Sequence, residues 1–257
     1  MDKKEILKKI TEKKEFSQLP KKDVELAFEK FDKPRNADYQ KIKLTRAFLR
    51  KIYSSFSSRK LLSLREREEE WVLRKHKSTK ERLPNYPKIY SRIFQLLGKK
   101  NKQISIIDLG AGVNGFSYKY FKQKVNYVAV EAVGQLVDLT NRYFKNKKIK
   151  GKAFHFSLFE LEKVKGIIQK SRKPRIIFLF KTIDSLEVLE RNYSKKLLNE
   201  VSPYVDIIVL SFATRSLGKR KRFRAQRKWI LDFIKENFEI LDDFERGGER
   251  YVCFSKK

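Results

Sequence analysis

Cysteine and long apolar runs are scarce in this chain of 257 residues. The single cysteine, Cys253, excludes an internal disulfide and a cysteine-cluster metal site, and it is typical of a protein from a reducing cytoplasm. No apolar run approaches the roughly 20 residues that a membrane-spanning helix needs. The amino-terminal sequence MDKKEILKK also has no apolar core like that of a signal peptide. We therefore expect a soluble, cytoplasmic protein that has no metal ion and no contact with a membrane.

Acidic residues are scarce relative to basic ones. The chain has 62 Lys and Arg against 31 Asp and Glu, which gives a formal net charge of +31. Self-repulsion on this scale disfavours a compact chain unless an anionic partner is present, and nucleic acid is the usual partner. A lysine-rich proteome would also raise the number of basic residues, but the size of the excess favours nucleic acid.

The first 100 residues are predicted to be helical. Four segments are expected to form helices, at residues 6–10, 24–31, 42–56 and 65–74. We expect these helices to form one domain, residues 1–100, that recognises RNA. A second domain, residues 101–257, would then carry the chemistry.

Basic residues dominate one part of this helical region. Residues 33–65 contain ten basic side chains and a single acid, Asp38, with Phe48 and Tyr53 interleaved among them. Such a helix can pack its aromatic residues inward and present Lys and Arg to phosphate. A solvated surface helix is the alternative, but the lopsided charge favours contact with RNA. The candidates for this contact are Arg46, Arg50 and Lys51.

From residue 104 onward, short β-branched runs alternate with helical stretches. Five runs are almost continuously apolar, as in a parallel sheet covered on both faces; they read ISIIDL, NYVAVEA, AFHF, PRIIFLF and VDIIVLSF. The last segment, FEILDDFERGGERYVCFS, has two runs joined by a Gly-Gly turn, which predicts an antiparallel hairpin. Five parallel strands and a hairpin form the seven-stranded α/β sheet of class I (Rossmann-like) methyltransferases. A doubly wound dehydrogenase is not expected to finish with such a hairpin.

A glycine-rich loop follows the first predicted strand. Asp108 ends the strand, and residues 110–115 (GAGVNG) form a turn in which glycine lets the backbone approach a ligand closely. Alone, this loop would equally fit a dinucleotide. The charge of Asp108, however, disfavours a pyrophosphate and suits a cationic methyl donor, and Glu131 ends the second strand, where a carboxylate can accept both ribose hydroxyls. Separately, Asp108 could be a helix cap and Glu131 a solvated strand end; together they predict a site for S-adenosylmethionine.

Three motifs resemble a known family. They are HKSTKERL at residues 76–83, SFATRSLG at residues 211–218, and FLFK at residues 178–181 followed by Leu186 and Glu187. These motifs resemble those of the Arm/Rmt (FmrO-like) aminoglycoside-resistance methyltransferases, and a weaker similarity covers residues 16–31 and 43–56. The resemblance implies methylation of a guanine N7 in the decoding-site helix of 16S rRNA, on the assembled small ribosomal subunit. S-adenosylmethionine would be the donor and S-adenosylhomocysteine the product, and we expect the protein to act as a monomer.

The resemblance also implies roles for single residues at the donor. Arg82 would pair with the methionine carboxylate of the donor, and Glu131 stands where the family usually has an Asp at the ribose. Ser157 and Leu158 stand where the family has an acidic residue beside the adenine, so this chain departs from the family there. The other donor-site candidates are Asp108, Gly110, Ala111, Gly112, Ala132 and Phe180.

The resemblance places the segment after the fifth predicted strand at the RNA. Arg215, with Thr214 and Ser216, would lie at the target nucleotide. The loop after Gly218 is shorter and more basic than in the family, and residues 214–230 contain no acid. We expect phosphate contacts in this loop, with a flexible solvated loop as the alternative. The candidates are Lys219, Arg220, Lys221, Arg222 and Arg224.

The chemistry of methyl transfer to guanine N7 fits the residues present. Guanine N7 has a free lone pair, so its attack on a sulfonium methyl group needs positioning rather than a general base. Arg215 and Lys181 are the candidates for that positioning, and we expect structural roles for His76 and His155. Ribose 2′-O transfer that uses Lys181, or transfer to another rRNA position, is the enzymatic alternative, and simple solvation of Lys181 at a strand end is the non-catalytic one. A catalytically inactive ribosome-assembly factor is a further alternative. Such a protein is expected to have lost the donor-binding residues of the loop, whereas this sequence retains them.

Overall fold

Seven strands form one sheet within the residues that the computed structural model describes, namely 1–54, 61, 67–98, 103–214 and 227–257. The strands are β1 (Ile104–Leu109), β2 (Val125–Glu131), β3 (Gly151–His155), β4 (Arg175–Phe180), β5 (Ile207–Ala213), β6 (Phe238–Arg246) and β7 (Glu249–Lys256). Their order in the sheet is β3-β2-β1-β4-β5-β7-β6. Strands β1 to β5 are parallel, and β7 is antiparallel to both β5 and β6. The predicted α/β sheet of seven strands is therefore confirmed.

The final hairpin forms at the predicted turn. Gly247 and Gly248 connect β6 to β7 with φ angles of 63° and 77°. A two-residue hairpin turn whose twist matches the flanking strands needs positive φ at both positions, and glycine adopts it without a steric penalty. The turn thus sets the register in which Arg246 pairs with Glu249.

Helices cover both faces of the sheet. They are α1 (Lys3–Thr11), α2 (Lys21–Glu29), α3 (Asp38–Leu49), α4 (Glu69–Lys75), α5 (Lys77–Arg82), α6 (Tyr86–Gln95), α7 (Gly134–Asn146), α8 (Leu161–Lys170), α9 (Ile183–Leu189), α10 (Tyr193–Val201) and α11 (Lys228–Asn237). Adjacent strand residues such as Ile106 and Ile107 belong to two separate apolar clusters because successive side chains point to opposite faces. Helices α8, α10 and α11 pack in one cluster, and α7 with the amino-terminal helices packs in the other.

The amino-terminal helices differ from their predicted bounds. Helix α3 begins at Asp38, before the predicted residue 42, and continues as a π-helical turn at Arg50–Ser54. Helix α4 begins at Glu69 rather than at the predicted residue 65, and residues 65 and 66 of the predicted helix lie outside the described residues. Within the described ranges, no helix is both long and apolar enough to cross a membrane.

Local sequence explains where the first two helices begin. The Asp2 carboxylate accepts a hydrogen bond from the Glu5 amide at 2.7 Å, and the Glu5 carboxylate accepts one from the Asp2 amide at 3.2 Å. This capping box satisfies amides that have no partner inside α1. Helix α2 begins directly after Pro20, and its buried side chains include Val24 and Phe28. These residues share one apolar cluster with Ile106 of β1, so the amino-terminal helices and the sheet have a common core.

Candidate functional site

A pocket opens at the carboxyl ends of β1, β2 and β4, the edge where open α/β sheets bind ligands. Its walls come from the loop after β1, the end of β2, the turn after β3 and the end of β4. The sequence-predicted site residues that line it are Gly110, Gly112, Glu131, Ala132, Leu158, Phe180 and Lys181. The fold therefore brings residues from four separate segments of the chain to one site.

The loop after β1 is shaped by two glycines with positive φ, Gly110 at 74° and Gly112 at 54°. A Cβ atom at Gly110 would lie 2.7 Å from Cγ2 of Thr182, and one at Gly112 would lie 2.9 Å from Nε2 of His76. Both contacts are too close for a side chain, and the positive φ adds strain, so both positions favour glycine. The Gly110 amide donates to the Val130 carbonyl oxygen at 2.9 Å and ties the loop to β2.

Glu131 ends β2 with its carboxylate buried at the edge of the pocket. Its Oε2 accepts a hydrogen bond from the Gly112 amide, and its Oε1 accepts one from the Val133 amide, both at 2.8 Å. Burial raises the pKa of Glu131, while these amide donors act in the opposite direction. The alternative of a solvated strand end is therefore wrong, and the carboxylate links the glycine loop to the start of α7.

Asp108 lies in a buried polar group next to the loop. Its Oδ2 accepts hydrogen bonds from Nδ2 of Asn114 at 2.7 Å and from the Tyr127 hydroxyl. The hydroxyl of Tyr86 donates to Oδ1 of the same Asn114 at 2.7 Å. Burial raises the pKa of Asp108, and the hydrogen bonds from Tyr127 and Asn114 oppose the rise. The described partners of Asp108 are thus side chains, and not the helix amides that a cap would bind.

Four of the predicted donor residues are buried without contributing to the lining of the pocket. They are Arg82, Asp108, Ala111 and Ser157. Ala111 lies in the loop between the two glycines, and Ser157 immediately precedes the lining residue Leu158. The roles of these four residues at the donor stay predictions.

Arg82 is held by Glu249, a residue that the sequence did not point to. Nε of Arg82 lies 3.1 Å from each carboxylate oxygen of Glu249, and Nη1 donates to Oδ1 of Asn114 at 3.2 Å. The guanidinium carbon also lies 4.9 Å from the centre of the Phe180 ring, within range of a cation–π contact. Both partners of this ion pair are almost fully buried, with 3% and 1% of their side chains exposed.

Lys181 joins the same cluster of charges from the end of β4. Its Nζ contacts Oε2 of Glu249 at 3.2 Å and also contacts the carboxylate of Glu81. Its φ of 56° lies in the left-handed region, which is unusual for a residue with a Cβ atom. Only 8% of the side chain is exposed, so solvation at a strand end is the wrong alternative for this residue. Ser211 completes the cluster by donating its hydroxyl to Glu249.

The two histidines have different environments. His76 is buried against the glycine loop, with Nδ1 at 3.0 Å from the Ser78 hydroxyl. Burial, followed by the charges of Arg82 and Lys181, lowers the pKa of His76 to about 3. The ring of His155 is exposed, and its Nε2 lies 3.1 Å from the Ala132 carbonyl oxygen.

The amino-terminal helices also contribute to the pocket, which the sequence did not predict. Asp23 of α2 and Ile52 and Tyr53 of the π-helical turn lie among its lining residues. The hydroxyl of Tyr53 donates to Oδ1 of Asp23. The only sequence signal for Asp23 was an acid among the apolar residues that α2 buries.

The predicted RNA-binding residues are only partly described. Side chains of Arg46 and Arg50 make contacts within the chain: Nε of Arg46 donates to the Ile10 carbonyl oxygen at 3.2 Å, and Arg50 pairs with Glu15. Lys51 is exposed. Thr214 donates its hydroxyl to Oε1 of Glu245 at 2.8 Å. The candidates that lie outside the described residues are Arg215, Ser216, Lys219, Arg220, Lys221, Arg222 and Arg224.

Comparison with known proteins points to one family. A family model described as "Ribosomal RNA methyltransferase (FmrO)" matches residues 46–247. A 16S rRNA (guanine(1405)-N(7))-methyltransferase of Proteus mirabilis is 24% identical over 196 residues, which cover 72% of this chain and 64% of that protein. A protein of the same name from Micromonospora rosea is 26% identical over 149 residues, 57% of this chain and 50% of its own length. The matched region thus spans less than two thirds of each of these relatives.

Solved structures show the same fold. The 16S rRNA methyltransferase RmtF, in complex with S-adenosyl-L-homocysteine, superposes with a TM-score of 0.79 at 20% identity, and the match covers 100% of both chains. The 16S rRNA methylase RmtB superposes with a TM-score of 0.78 at 18% identity, over 100% of this chain and 99% of that one.

Proposed function

Because the chain belongs to the ribosomal RNA methyltransferase (FmrO) family, we propose that it transfers a methyl group from S-adenosylmethionine to a guanine N7 of 16S rRNA. The observation that carries this proposal is the pocket at the sheet edge, where the glycine loop after β1 and the buried Glu131 of β2 lie side by side. A target in the decoding-site helix of the small subunit, and resistance to aminoglycosides as the consequence, belong to the same proposal. Both 16S rRNA (guanine(1405)-N(7))-methyltransferases found by comparison support it.

The residues at the pocket fit the proposed donor. Gly110 and Gly112 leave the backbone open to close approach, and Glu131 is placed to accept the ribose hydroxyls. Arg82 and Asp108 are buried outside the lining of the pocket; Arg82 would pair with the methionine carboxylate, and Asp108 would place negative charge near a cationic sulfonium. When bound, S-adenosylmethionine supplies an electrophilic methyl group.

Positioning is the main task left to the chain. The lone pair of guanine N7 attacks without the loss of a proton, so no side chain has to act as a general base. Lys181 is already in contact with the carboxylates of Glu81 and Glu249, which favours a positioning role over the removal of a proton from a ribose hydroxyl. Arg215 would hold the target nucleotide after the base leaves its stack.

Basic residues are proposed to bind the small subunit. The amino-terminal domain, residues 1–100, would contact phosphates through Arg46, Arg50 and Lys51. The segment after β5 would add Thr214 and the basic residues between 215 and 224. Phosphate contacts position the RNA without reading its sequence, so base selection would rest on the pocket in the domain of residues 101–257. We propose that the protein acts as a monomer.

Labelled methyl transfer to purified ribosomal subunits tests this proposal. Small subunits should accept the methyl group, whereas large subunits and transfer RNA should not. Glu131→Ala should transfer more slowly because donor binding weakens by about 1–3 kcal/mol when its hydrogen-bonded groups lose a partner. Glu162→Ala, whose side chain is 84% exposed on α8, is the matched control and should transfer at the wild-type rate. Donor binding without transfer to any RNA would instead indicate the inactive assembly factor.

A further inference from the structure

The pocket contains a buried carboxylate that the donor-binding roles described above leave unused. Asp23 lies on α2, and 2% of the residue is exposed. Its helix buries Val24, Ala27 and Phe28 in the common core, so α2 holds the carboxylate at the pocket without freedom to swing away. A charged side chain in such a place is costly unless a partner satisfies it.

One oxygen of this carboxylate has no hydrogen-bond partner among the described residues. Oδ1 accepts from the Tyr53 hydroxyl, and Oδ2 makes no hydrogen bond. Several described side chains have such a buried atom, but Asp23 is the one among them that lines the pocket. Burial raises the pKa of Asp23, and the hydroxyls of Ser157 and Tyr53 nearby oppose the rise. A hydrogen-bond donor on a ligand would supply the missing partner.

The position of Asp23 relates it to one part of the proposed donor. In the sheet, β2 lies between β1 and β3. The methionine end of the donor is assigned to the loop after β1 and the ribose to Glu131 at the end of β2, so the base extends toward the turn after β3. Asp23 lies near that turn, because it lines the same pocket as Leu158, and the Ser157 hydroxyl is close to its carboxylate.

The surroundings of Asp23 suit a flat base. Ile52, Leu158 and Leu186 supply apolar walls to the same pocket. On the edge used for pairing, adenine has one donor, its 6-amino group, and an ionised carboxylate only accepts. The turn after β3 itself supplies Ser157 and Leu158 at this point, and neither side chain carries a charge.

We infer that Asp23 is the residue that recognises the adenine of the donor, by accepting a hydrogen bond from the 6-amino group at Oδ2. This inference rests on the proposed function, because it takes S-adenosylmethionine as the ligand. It makes the amino-terminal helical region part of the donor site as well as of the RNA-binding surface. Tyr53 is a positioning residue here, since its hydroxyl holds the other oxygen of the same carboxylate.

Calorimetric binding of two ligands to the full chain tests the inference. One ligand is S-adenosylhomocysteine, and the other is its analogue in which hydrogen replaces the 6-amino group. The wild-type protein should bind the analogue more weakly by about 10-fold or more, the usual value of a hydrogen bond to a charged group. Asp23→Ala should bind the two ligands within about 2-fold of each other because its acceptor is gone. Asp23→Asn keeps the shape and one acceptor oxygen, so it should show an intermediate preference.

Glu29→Gln is the matched control, since Glu29 lies on the same helix with 57% of its side chain exposed. It should keep the wild-type preference. Equal binding of both ligands to the wild-type protein would overturn the inference and leave the proposed function standing. No binding of S-adenosylhomocysteine at all would instead overturn the proposed function. The wild-type comparison needs no variant, so equal binding overturns the inference even where Asp23→Ala does not fold, and a reduced preference in Asp23→Asn then assigns the wild-type preference to Asp23.

Discussion

At the scale of single residues, Glu249 links parts of the chain that are distant in sequence. It contacts Arg82 before the sheet, Lys181 at the end of β4 and Ser211 in β5. Ion pairs at the surface contribute little to stability because water solvates their charges. Water cannot solvate the two cations that pair with a buried carboxylate, so the loss of that carboxylate is costly. The loss of Glu249 would leave Arg82 without its described carboxylate partner in the protein interior, while Lys181 would keep the carboxylate of Glu81.

We therefore expect Glu249→Gln to lower the free energy of unfolding by about 3–5 kcal/mol, as for other broken buried pairs. Urea unfolding followed by circular dichroism measures this value. Asp243→Asn is the matched control because Asp243 pairs with Arg250 in the same hairpin, with 32% and 35% of the two side chains exposed. That variant should lose about 1 kcal/mol or less. Equal losses for the two variants would contradict the account of the buried cluster.

His76 makes stability depend on pH in a defined direction. Its pKa is lowered to about 3 in the folded chain, whereas an unfolded histidine titrates near pH 6.5. As the pH falls from about 6.5 toward about 3, the unfolded chain takes up a proton that the folded chain does not bind. The contribution of His76 to the free energy of unfolding is therefore complete above pH 6.5 and declines by up to about 1.4 kcal/mol per pH unit below it.

The difference in the free energy of unfolding between wild type and His76→Gln should accordingly shrink between pH 7 and pH 5. The carboxyl groups whose pKa values are raised by burial are present in both proteins. Their effect on the free energy of unfolding therefore cancels in this comparison. His155→Gln is the control, since that ring is exposed, and it should follow the wild-type curve. A constant difference between wild type and His76→Gln over this pH range would show that the buried imidazole does not resist protonation.

At the scale of elements, the proposed RNA-binding surface includes the exposed side of α3 and of the π-helical turn, which lie within the described residues. Lys43 and Lys51 are exposed there, and Tyr39 is exposed to 67%. Arg46 and Arg50 instead hold α1 and the turn after it through Ile10 and Glu15. Because replacing either arginine would also disturb packing, the exposed Lys43 is a better probe of RNA contact than the two arginines.

Replacing Lys43 and Lys51 together by Gln should weaken binding to small subunits and flatten its dependence on salt. Each lost phosphate contact lowers the slope of log K against log salt by about 0.7–0.9. Filter binding over a series of salt concentrations measures the slope. The same replacements at Lys163 and Lys170, both exposed on α8, form the control, and an equal effect of the two pairs would indicate general charge rather than a specific surface.

The elements differ in how far the sequence could predict them. Strands β1, β2, β4 and β5 were predictable because each is an apolar run buried on both faces, and the hairpin because Gly247 and Gly248 mark its turn. Strand β3 lies at the edge of the sheet, and only its Ala153 is buried. The start of α3 was missed since Gln40 caps it by accepting from the Ala37 amide at 3.2 Å, ahead of any apolar pattern. An apolar stripe on α2 predicted a buried face but not which surface covers it, so the place of Asp23 in the pocket was not predictable.

The candidate site was predictable in the same uneven way. Glu131 was predicted from its place at the end of a strand, and Gly110 and Gly112 from the glycine loop. These predictions were possible because each depends on a short segment of sequence. Glu249 has no such pattern, since a charge beside a hairpin turn is normally solvated. Its partner Arg82 lies 167 positions away in sequence, and only the fold brings the two together.

At the scale of the whole molecule, the amino-terminal helices and the sheet share one apolar cluster. The chain should therefore unfold as one unit even though its two regions have different proposed tasks. Trp71 packs against the cluster that contains the amino-terminal helices, and Trp229 packs against the cluster on the other face of the sheet. These are the two tryptophans of the chain, so they report separately on the two regions.

Fluorescence of Trp71→Phe and Trp229→Phe should give coincident unfolding transitions in urea, because the shared core couples both regions. Circular dichroism of each variant supplies a third, global probe. A transition of Trp71 that precedes that of Trp229 by a clear interval would show that the amino-terminal helices unfold independently.

The most direct test of the central claim is to map the methyl group on small subunits treated with the protein and S-adenosylmethionine. Methylation at N7 fixes a positive charge on guanine, so reduction followed by aniline cleaves the chain at that nucleotide. We predict cleavage at a single guanine in the decoding-site helix of 16S rRNA, and none in untreated subunits. A methyl group on a ribose, or one found only on transfer RNA, would contradict the assignment of this protein as a guanine-N7 methyltransferase of 16S rRNA.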